Sequence, residues 1–470
     1  MTVQTDPIWD LLVIGGGTAG LLAAKTAAGL GAQVALVERA RTGGDCLWTG
    51  CVPSKALQSA AAAAADARAA GRFGIDVGQV QVDFPRVMAH VHAAIATIAP
   101  VDSIETLEAV GVTVFSGDAQ FAGPGRLAVD GAPVQYRQAV IATGSEPVLP
   151  RIPGLADVTP LTADTVWDLV DLPERLVMIG GGSSGCELGQ AFARLGSRVT
   201  VLEAADRVLP AEDPDASALI REALVTDGVE VITGARIERV GAGVLEHAGG
   251  RVEFDQLLVL AGRRPRTAGL GLESVGVELD EAGWIRVDSH LRTSAAQLWA
   301  AGDITGAPLF THTAGVHGTI AAINALLGPV RSVRTAGEPR VTFTRPEVAA
   351  VGVPTAGART VQVRHDELDR AVTEGEVAGF SRLAVGRRGR IIGATVVGPR
   401  AGETIGELAL AVGQQLTTGD LAGVTHPYPT WSDGAWNAAV ADYRSRLGTP
   451  VASRLTGLLM RLRRWWVSRR

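Results

Sequence analysis

The sequence predicts an α/β protein built on two Rossmann-like dinucleotide-binding domains. Three observations predict it. A strand, a glycine turn, a helix, a second strand and an acid follow one another over residues 11–38. The same succession returns over residues 176–203. And 470 residues exceed what one hydrophobic core can organise, so more than one domain is expected.

In the first unit, LLVIGGGTAGLLAAKTAAGLGAQVALVE, the apolar strand Leu11–Ile14 runs into Gly15-x-Gly17-x-x-Gly20. Gly15 permits the tight turn, Gly17 lets backbone approach a pyrophosphate, and Gly20 packs helix on strand. The pyrophosphate belongs at the positive helix N-terminus. Glu38 ends the next strand, placed for a ribose hydroxyl pair. In the second unit Gly180-x-Gly182-x-x-Gly185 follows a strand, and Glu203 closes the unit. Two units imply two dinucleotides. An acid at Glu203 repels a 2′-phosphate, so the second is read as NADH rather than NADPH. Cys186, just past the second turn, reads as a small buried hydrophobe.

Composition bounds the class. Hydrophobic residues make up 47% and charged residues 20%, the range of ordinary globular proteins. The N-terminus lacks the features of a signal peptide, and no uninterrupted apolar run reaches the roughly 18–20 residues of a membrane span. A cytoplasmic location is therefore expected. Three cysteines do not make a secreted disulfide scaffold. The net charge of −6 is uneven. Residues 446–470 carry seven Arg and no acid, which leaves −13 for residues 1–445. An acidic body with a basic tail is no nucleic-acid binder, and it gives the tail a local task.

Cys46 and Cys51 stand five positions apart in GGDCLWTGCVPSK. A staple, half a metal site and a redox pair are the three readings. A zinc site needs four ligands, and the eight His are scattered. Five residues of helix rise about 7.5 Å, beyond the reach of a disulfide, so Cys46 cannot share the helix of Cys51. Pro53 suits a first helical turn. Cys51 then stands at a helix N-terminus, which favours thiolate. Beside two dinucleotides, such a pair points to reversible oxidation. The chain has only two lysines, Lys25 and Lys55, in a sequence that otherwise uses Arg. A lysine kept so near Cys51 points to a specific role.

With these motifs the chain resembles the flavoprotein disulfide reductases, the family of dihydrolipoamide dehydrogenase, glutathione reductase and mercuric reductase. Further stretches carry the likeness: Thr143-Gly144 in VIATGSEPVLP, GRRPR at 262–266, LWAAGD ending on Asp303, and VTFTRPEVAAVG at 341–352. The resemblance implies FAD on the first turn, with Asp303 at its ribityl chain, and NAD(P)H on the second. Electrons would pass from nucleotide through flavin to the disulfide. Cys51 would be the flavin-side thiolate and Cys46 the exposed interchange thiol. Lys55 would pair with Glu187 near the flavin. The implied layout is a FAD domain at 1–148 and 267–335, an NAD(P)H domain at 149–266, an α+β interface domain at 336–445 and a homodimer.

One stretch departs from the family pattern. Thiol-exchanging members carry a His–Glu pair where this chain has THPYPTWSDG, with Tyr428 and Asp433 at the matching positions. An ordinary Tyr, with a pKa of about 10, is a poor base at neutral pH. His426 is a candidate replacement. The stretch resembles mercuric reductase, whose Tyr lines a metal approach, so the acceptor is read as a soft metal ion or another electrophile. A dihydrolipoamide dehydrogenase type with His426 as base is the alternative. The tail, 446–470, aligns Leu455, Leu458, Leu459, Leu462 and Trp466 on one helical face among arginines. It suits peripheral membrane contact through 450–470, and with it a quinone acceptor.

Overall fold

Strands buried on both faces belong to parallel sheets covered by helices, and both glycine units begin on one. The computed structural model describes residues 7–353 and 358–469; residues 1–6 and Arg470, the last of the tail's arginines, lie outside them. The chain folds into two units, the first made of residues up to 206 with 224–333, the second of 207–223 with 334 onward.

In the first unit β1 (Ile8–Ile14) leads into α1 (Thr18–Gly29) and β2 (Val34–Glu38). β1 lies between β2 and the strand Ala132–Ile141, parallel to both. Val112–Ser116 extends the sheet beyond β2, and Leu298–Ala300 joins Ala132–Ile141, also in parallel. A short helix and a long one follow β2. α2 (Gly44–Trp48) carries Cys46, and α3 (Cys51–Ala69) begins at Cys51. The alanine-rich stretch after Cys51 is thus continuous helix, as its propensity predicts. The helix Phe84–Ile98 buries Phe84, Met88, Val91 and Ile95.

The second nucleotide unit repeats the first. β3 (Arg175–Ile179), α4 (Ser183–Leu195) and β4 (Arg198–Leu202) follow in order, with β3 and β4 parallel. Glu230–Ile232, Gln256–Val259 and Leu161–Thr162 complete a parallel sheet of five strands. α5 (Thr311–Leu327) ends the first unit's helical cover. Cys186 is fully buried, with its thiol donating to Gly181 O at 3.3 Å.

The second unit carries an antiparallel sheet of five strands, ordered Pro339–Thr342, Glu347–Gly352, Ile391–Gly398, Phe380–Val385, Arg359–Arg364. The helices Ala401–Gly413 and Asp433–Leu447 pack on it through Ile405, Leu408, Ala435 and Ala438. It closes with α6 (Pro450–Val467). The α/β class with two nucleotide-binding domains and a smaller α+β domain is therefore the observed one.

The stretch Phe84–Ala109 is, among the described residues, long and apolar enough on average to pass as a membrane span, with a mean hydropathy of 1.3. Polar residues such as Arg86, His90 and Asp102 interrupt it, so it holds no long apolar run. It is no single α-helix: a 3₁₀ turn at 99–102 contains Pro100, and a new helix starts at the Ser103 cap.

Two glycines explain why the units take this form. A Cβ at Gly20 would stand 1.8 Å from Gly15 O, and one at Gly185 would stand 1.9 Å from Gly180 O. Helix and strand thus meet backbone to backbone in both units. Gly20→Ala and Gly185→Ala are each expected to lower stability by about 1–3 kcal/mol through overpacking. The check is a reduced urea midpoint at unchanged m.

Candidate active site

The two glycine turns are alike atom for atom. Gly15 and Gly180 hold φ +103° and +116°, a region open to glycine. Glu38 Oε2 accepts from Gly16 N at 2.6 Å and its Oε1 from Ala40 N at 2.8 Å. Glu203 Oε2 accepts from Gly181 N at 2.6 Å and its Oε1 from Ala205 N at 2.8 Å. Each acid thus braces its own turn, and a carboxylate's further lone pairs can still take a ribose hydroxyl. α1 and α4 start at Gly17 and Gly182 with no side-chain cap, so first-turn N–H groups are open to an anion. A Cβ at Gly17 would have no neighbour nearer than 3.7 Å, and one at Gly182 none within 4 Å. Both turns therefore leave room for a pyrophosphate on bare backbone. They fit a dinucleotide each.

The cysteine turn is docked on the first of them. Gly43 N donates to Gly16 O at 2.9 Å, and a Cβ on Gly44 would fall 2.6 Å from Gly17 Cα. α2 is tied down by its own Asp45, which accepts from Arg263 and, at 3.2 Å, from Arg266. Arg263 Nε also donates to Ser145 Oγ at 2.6 Å, and Ser145 Oγ donates to Asp303 Oδ2 at 2.7 Å. The strands Ser145–Pro147 and Arg263–Pro265 pair antiparallel. Beside them Thr143 Oγ1 donates to Arg266 O at 2.9 Å, and Arg266 N to Gly144 O at 3.0 Å. One network therefore joins Cys46's helix to Thr143, Gly144 and Asp303.

Cys46 and Cys51 stand as free cysteines within hydrogen-bonding reach of each other. The thiol of Cys46 donates to Cys51. That bond, then the hydroxyl of Thr311 at 3.2 Å and the charge of Lys55, lower Cys51 to about 6 against the opposing effect of burial. The same bond, burial and the neighbouring charge push Cys46 up. The pair thus leans toward a thiol at Cys46 and a thiolate at Cys51. In the protein alone Cys51 is the exposed member and Cys46 is half-buried.

Lys55 lies one turn along α3. Its Nζ meets Glu187 Oε2 of α4 at 2.6 Å, and Gln58 Nε2 donates to the same oxygen at 2.7 Å. Glu187 is buried at 7% exposure.

In the second unit the residues at the expected base position are spoken for. Tyr428 is 73% exposed, and its hydroxyl donates to Asp369, which raises its pKa. A phenol held as a donor is no base. His426 faces Val424 O at 3.1 Å through Nδ1 and Glu407 Oε1 at 3.0 Å through Nε2. Both ring nitrogens of His426 are thus engaged within its own unit. Asp433 accepts from Thr430 N at 2.9 Å, bracing the loop rather than Tyr428.

Comparison with known proteins bears on what these features are. Residues 9–318 match the model of the pyridine nucleotide-disulphide oxidoreductase family, and residues 338–439 match its dimerisation domain. The chain belongs to this family. It is 38% identical to a mercuric reductase of Streptomyces lividans over 459 residues, 93% of this chain and 97% of that protein. It is 36% identical to a dihydrolipoyl dehydrogenase of Thermus scotoductus, over 93% of this chain and 98% of that one. Among solved structures, LpdA of Mycobacterium tuberculosis superposes with a TM-score of 0.84 at 32% identity, covering 92% of this chain and 99% of that one. The Cu(II) complex of the HOCl-induced flavoprotein disulfide reductase RclA of Escherichia coli does so with 0.82 at 27% identity, covering 93% and 99%. The protein is thus a pyridine nucleotide-disulfide oxidoreductase, an enzyme of FAD and a pyridine nucleotide with a dimerisation domain.

Sequence reasoning missed Asp45, Gln58 and Thr311. Asp45 and Gln58 were legible as polar side chains within three residues of Cys46 and Lys55. Thr311 is 260 residues from Cys51, and no local signal joins them.

Because the Cys46 hydrogen bond is the largest influence holding Cys51 down, Cys46→Ala is expected to raise the Cys51 pKa above about 6. Thr311→Val should shift it the same way by less. Alkylation of the reduced enzyme by iodoacetamide against pH reads both, as a rate whose midpoint moves to higher pH.

Proposed function

We propose that this enzyme carries electrons from NADH, by way of FAD and the Cys46–Cys51 dithiol, to a soft metal ion such as Hg(II) or Cu(II), or to another electrophile. The observation that carries this reading is the state of the dithiol set against the engagement of the residues at the base position. Cys51 is held toward thiolate, while the Tyr428 hydroxyl donates to Asp369 and both ring nitrogens of His426 already face Val424 and Glu407. Exchange with an organic dithiol needs a group that takes a proton. A soft metal ion needs only sulfur ligands and electrons. The likeness to a mercuric reductase and to a reductase solved with Cu(II) supports the same class of acceptor.

The residues divide the work as follows. Gly15, Gly17, Gly20 and Glu38 hold the FAD diphosphate and ribose, with Thr143, Gly144 and Asp303 at the rest of that cofactor. FAD supplies the relay between a two-electron nucleotide donor and sulfur. Gly180, Gly182, Gly185 and Glu203 hold NADH, and the Glu203 carboxylate disfavours a 2′-phosphate. Lys55, oriented by Glu187, keeps a positive charge near Cys51 and steadies its thiolate. Cys46 holds the proton of the reduced pair and, once it is released, offers the second sulfur. Tyr428 and Asp433 stand at the positions where thiol-exchanging members carry their His–Glu pair. Two electrons from one NADH convert one Hg(II) to Hg(0), or two Cu(II) to two Cu(I), with release of one proton.

A second reading, a dihydrolipoamide dehydrogenase type, has the Thermus relative in its favour. It requires His426, turned from its contacts with Val424 and Glu407, to take the proton.

Steady-state oxidation of NADH by the FAD-loaded protein tests both, run against Hg(II), Cu(II), lipoamide, a short-chain quinone and oxygen alone. Turnover with a metal ion that falls at least about a hundredfold in Cys46→Ala is expected. Lipoamide turnover that exceeds metal turnover would overturn the metal reading. Quinone turnover that survives Cys46→Ala would move the chemistry away from the dithiol.

A further inference from the structure

The tail helix α6 takes no part in the chemistry above, and the second unit leaves it uncovered. Every side chain from Ser453 to Arg469 is exposed apart from the partly covered position at Gly457. Leu455, Leu458, Leu459, Leu462 and Trp466 recur at helical spacing and form one apolar stripe. They are 41–58% exposed, an unusual state for five large apolar side chains on one face.

Charge singles out what covers the stripe. No acid follows Asp442, while Arg454, Arg461, Arg463, Arg464 and Arg469 stand along and just beyond the helix. On the helical wheel Arg454 and Arg461 flank one side of the stripe and Arg463 the other. The guanidinium of Arg463 lies 4.6 Å over the Trp466 ring and that of Arg469 4.1 Å over the Trp465 ring. Amphipathic Trp rings and arginines thus border the apolar stripe, where a polar and an apolar medium would meet. At 18 residues the helix is about 27 Å long and too charged to cross a bilayer. A helix of this length, stripe and charge suits the plane of an anionic lipid surface.

We propose that α6 docks the enzyme on anionic lipid bilayers, its leucines and Trp466 buried among the acyl chains and its arginines at the headgroups. This goes beyond the electron-transfer reading and does not depend on it.

The test is co-sedimentation of the full FAD-loaded protein with vesicles of phosphatidylcholine, with and without phosphatidylserine. Binding at least about tenfold tighter to the anionic vesicles is expected, since each basic residue at such a surface contributes several-fold. Added salt should weaken it. The double variant Leu458→Glu, Trp466→Glu should abolish it. The triple variant Arg461→Gln, Arg463→Gln, Arg464→Gln should weaken it at least about tenfold. A chain ending at 448 should lose binding yet oxidise NADH with a soluble acceptor as the full chain does, which shows that it is folded. Equal binding to neutral vesicles, no binding to either, or binding that survives the truncation would overturn the proposal. So would a truncation that changes only the oligomeric state, which would assign the stripe to a second copy of the chain.

Discussion

The contact between Lys55 and Glu187 holds the site together. A carboxylate with 7% exposure cannot stay ionised without partners, and Glu187 draws Lys55 and Gln58 to one oxygen at 2.6 and 2.7 Å. The two donors lie on α3, and the acceptor lies on α4. The pair therefore fixes the helix that begins at Cys51 against the helix that begins at the second nucleotide turn. Breaking such a pair from one side leaves an uncompensated charge, so the register of the two helices is strongly specified. Gln58 adds a neutral second donor, which satisfies the same oxygen without adding charge beside Cys51.

The first turn is joined to the cysteine turn in a different way, through backbone alone. Gly43 N bonds Gly16 O, and Gly44 has no room for a Cβ against Gly17 Cα. Phosphate cradle and dithiol are thus set at a fixed distance by backbone packing rather than by flexible side chains. The asymmetry of the dithiol then arises from its surroundings. Thr311 and Lys55 lie toward Cys51, whereas Cys46 sits half-buried beside the charges that hold α2. One sulfur is readied as thiolate while the other is held toward its protonated form.

Much of this was legible in the chain. GxGxxG turns, their closing acids and the spacing of Cys46 from Cys51 act over short stretches, where backbone geometry leaves few options. The helix after Cys51 followed from alanine propensity. Other features were not legible. The partner of Tyr428 is Asp369, and the engagement of His426 comes from Glu407 and Val424. A base is defined by an available lone pair, and sequence does not show which lone pairs are taken. The anchoring of α2 was hidden for a related reason: it depends on Arg263 and Arg266, more than 200 residues further along.

The sequence by itself determined the two nucleotide units, the redox pair and the basic stripe of the tail, because each is a local pattern whose physics is complete within a few turns of chain. Tertiary structure decided that Asp45 ties α2 to Arg263 and Arg266, that Thr311 reaches Cys51, and which partners Tyr428 and His426 meet. These depend on burial and on hydrogen bonds between residues tens to hundreds of positions apart. Such contacts exist only once helices and sheets have packed and water has been excluded from between them.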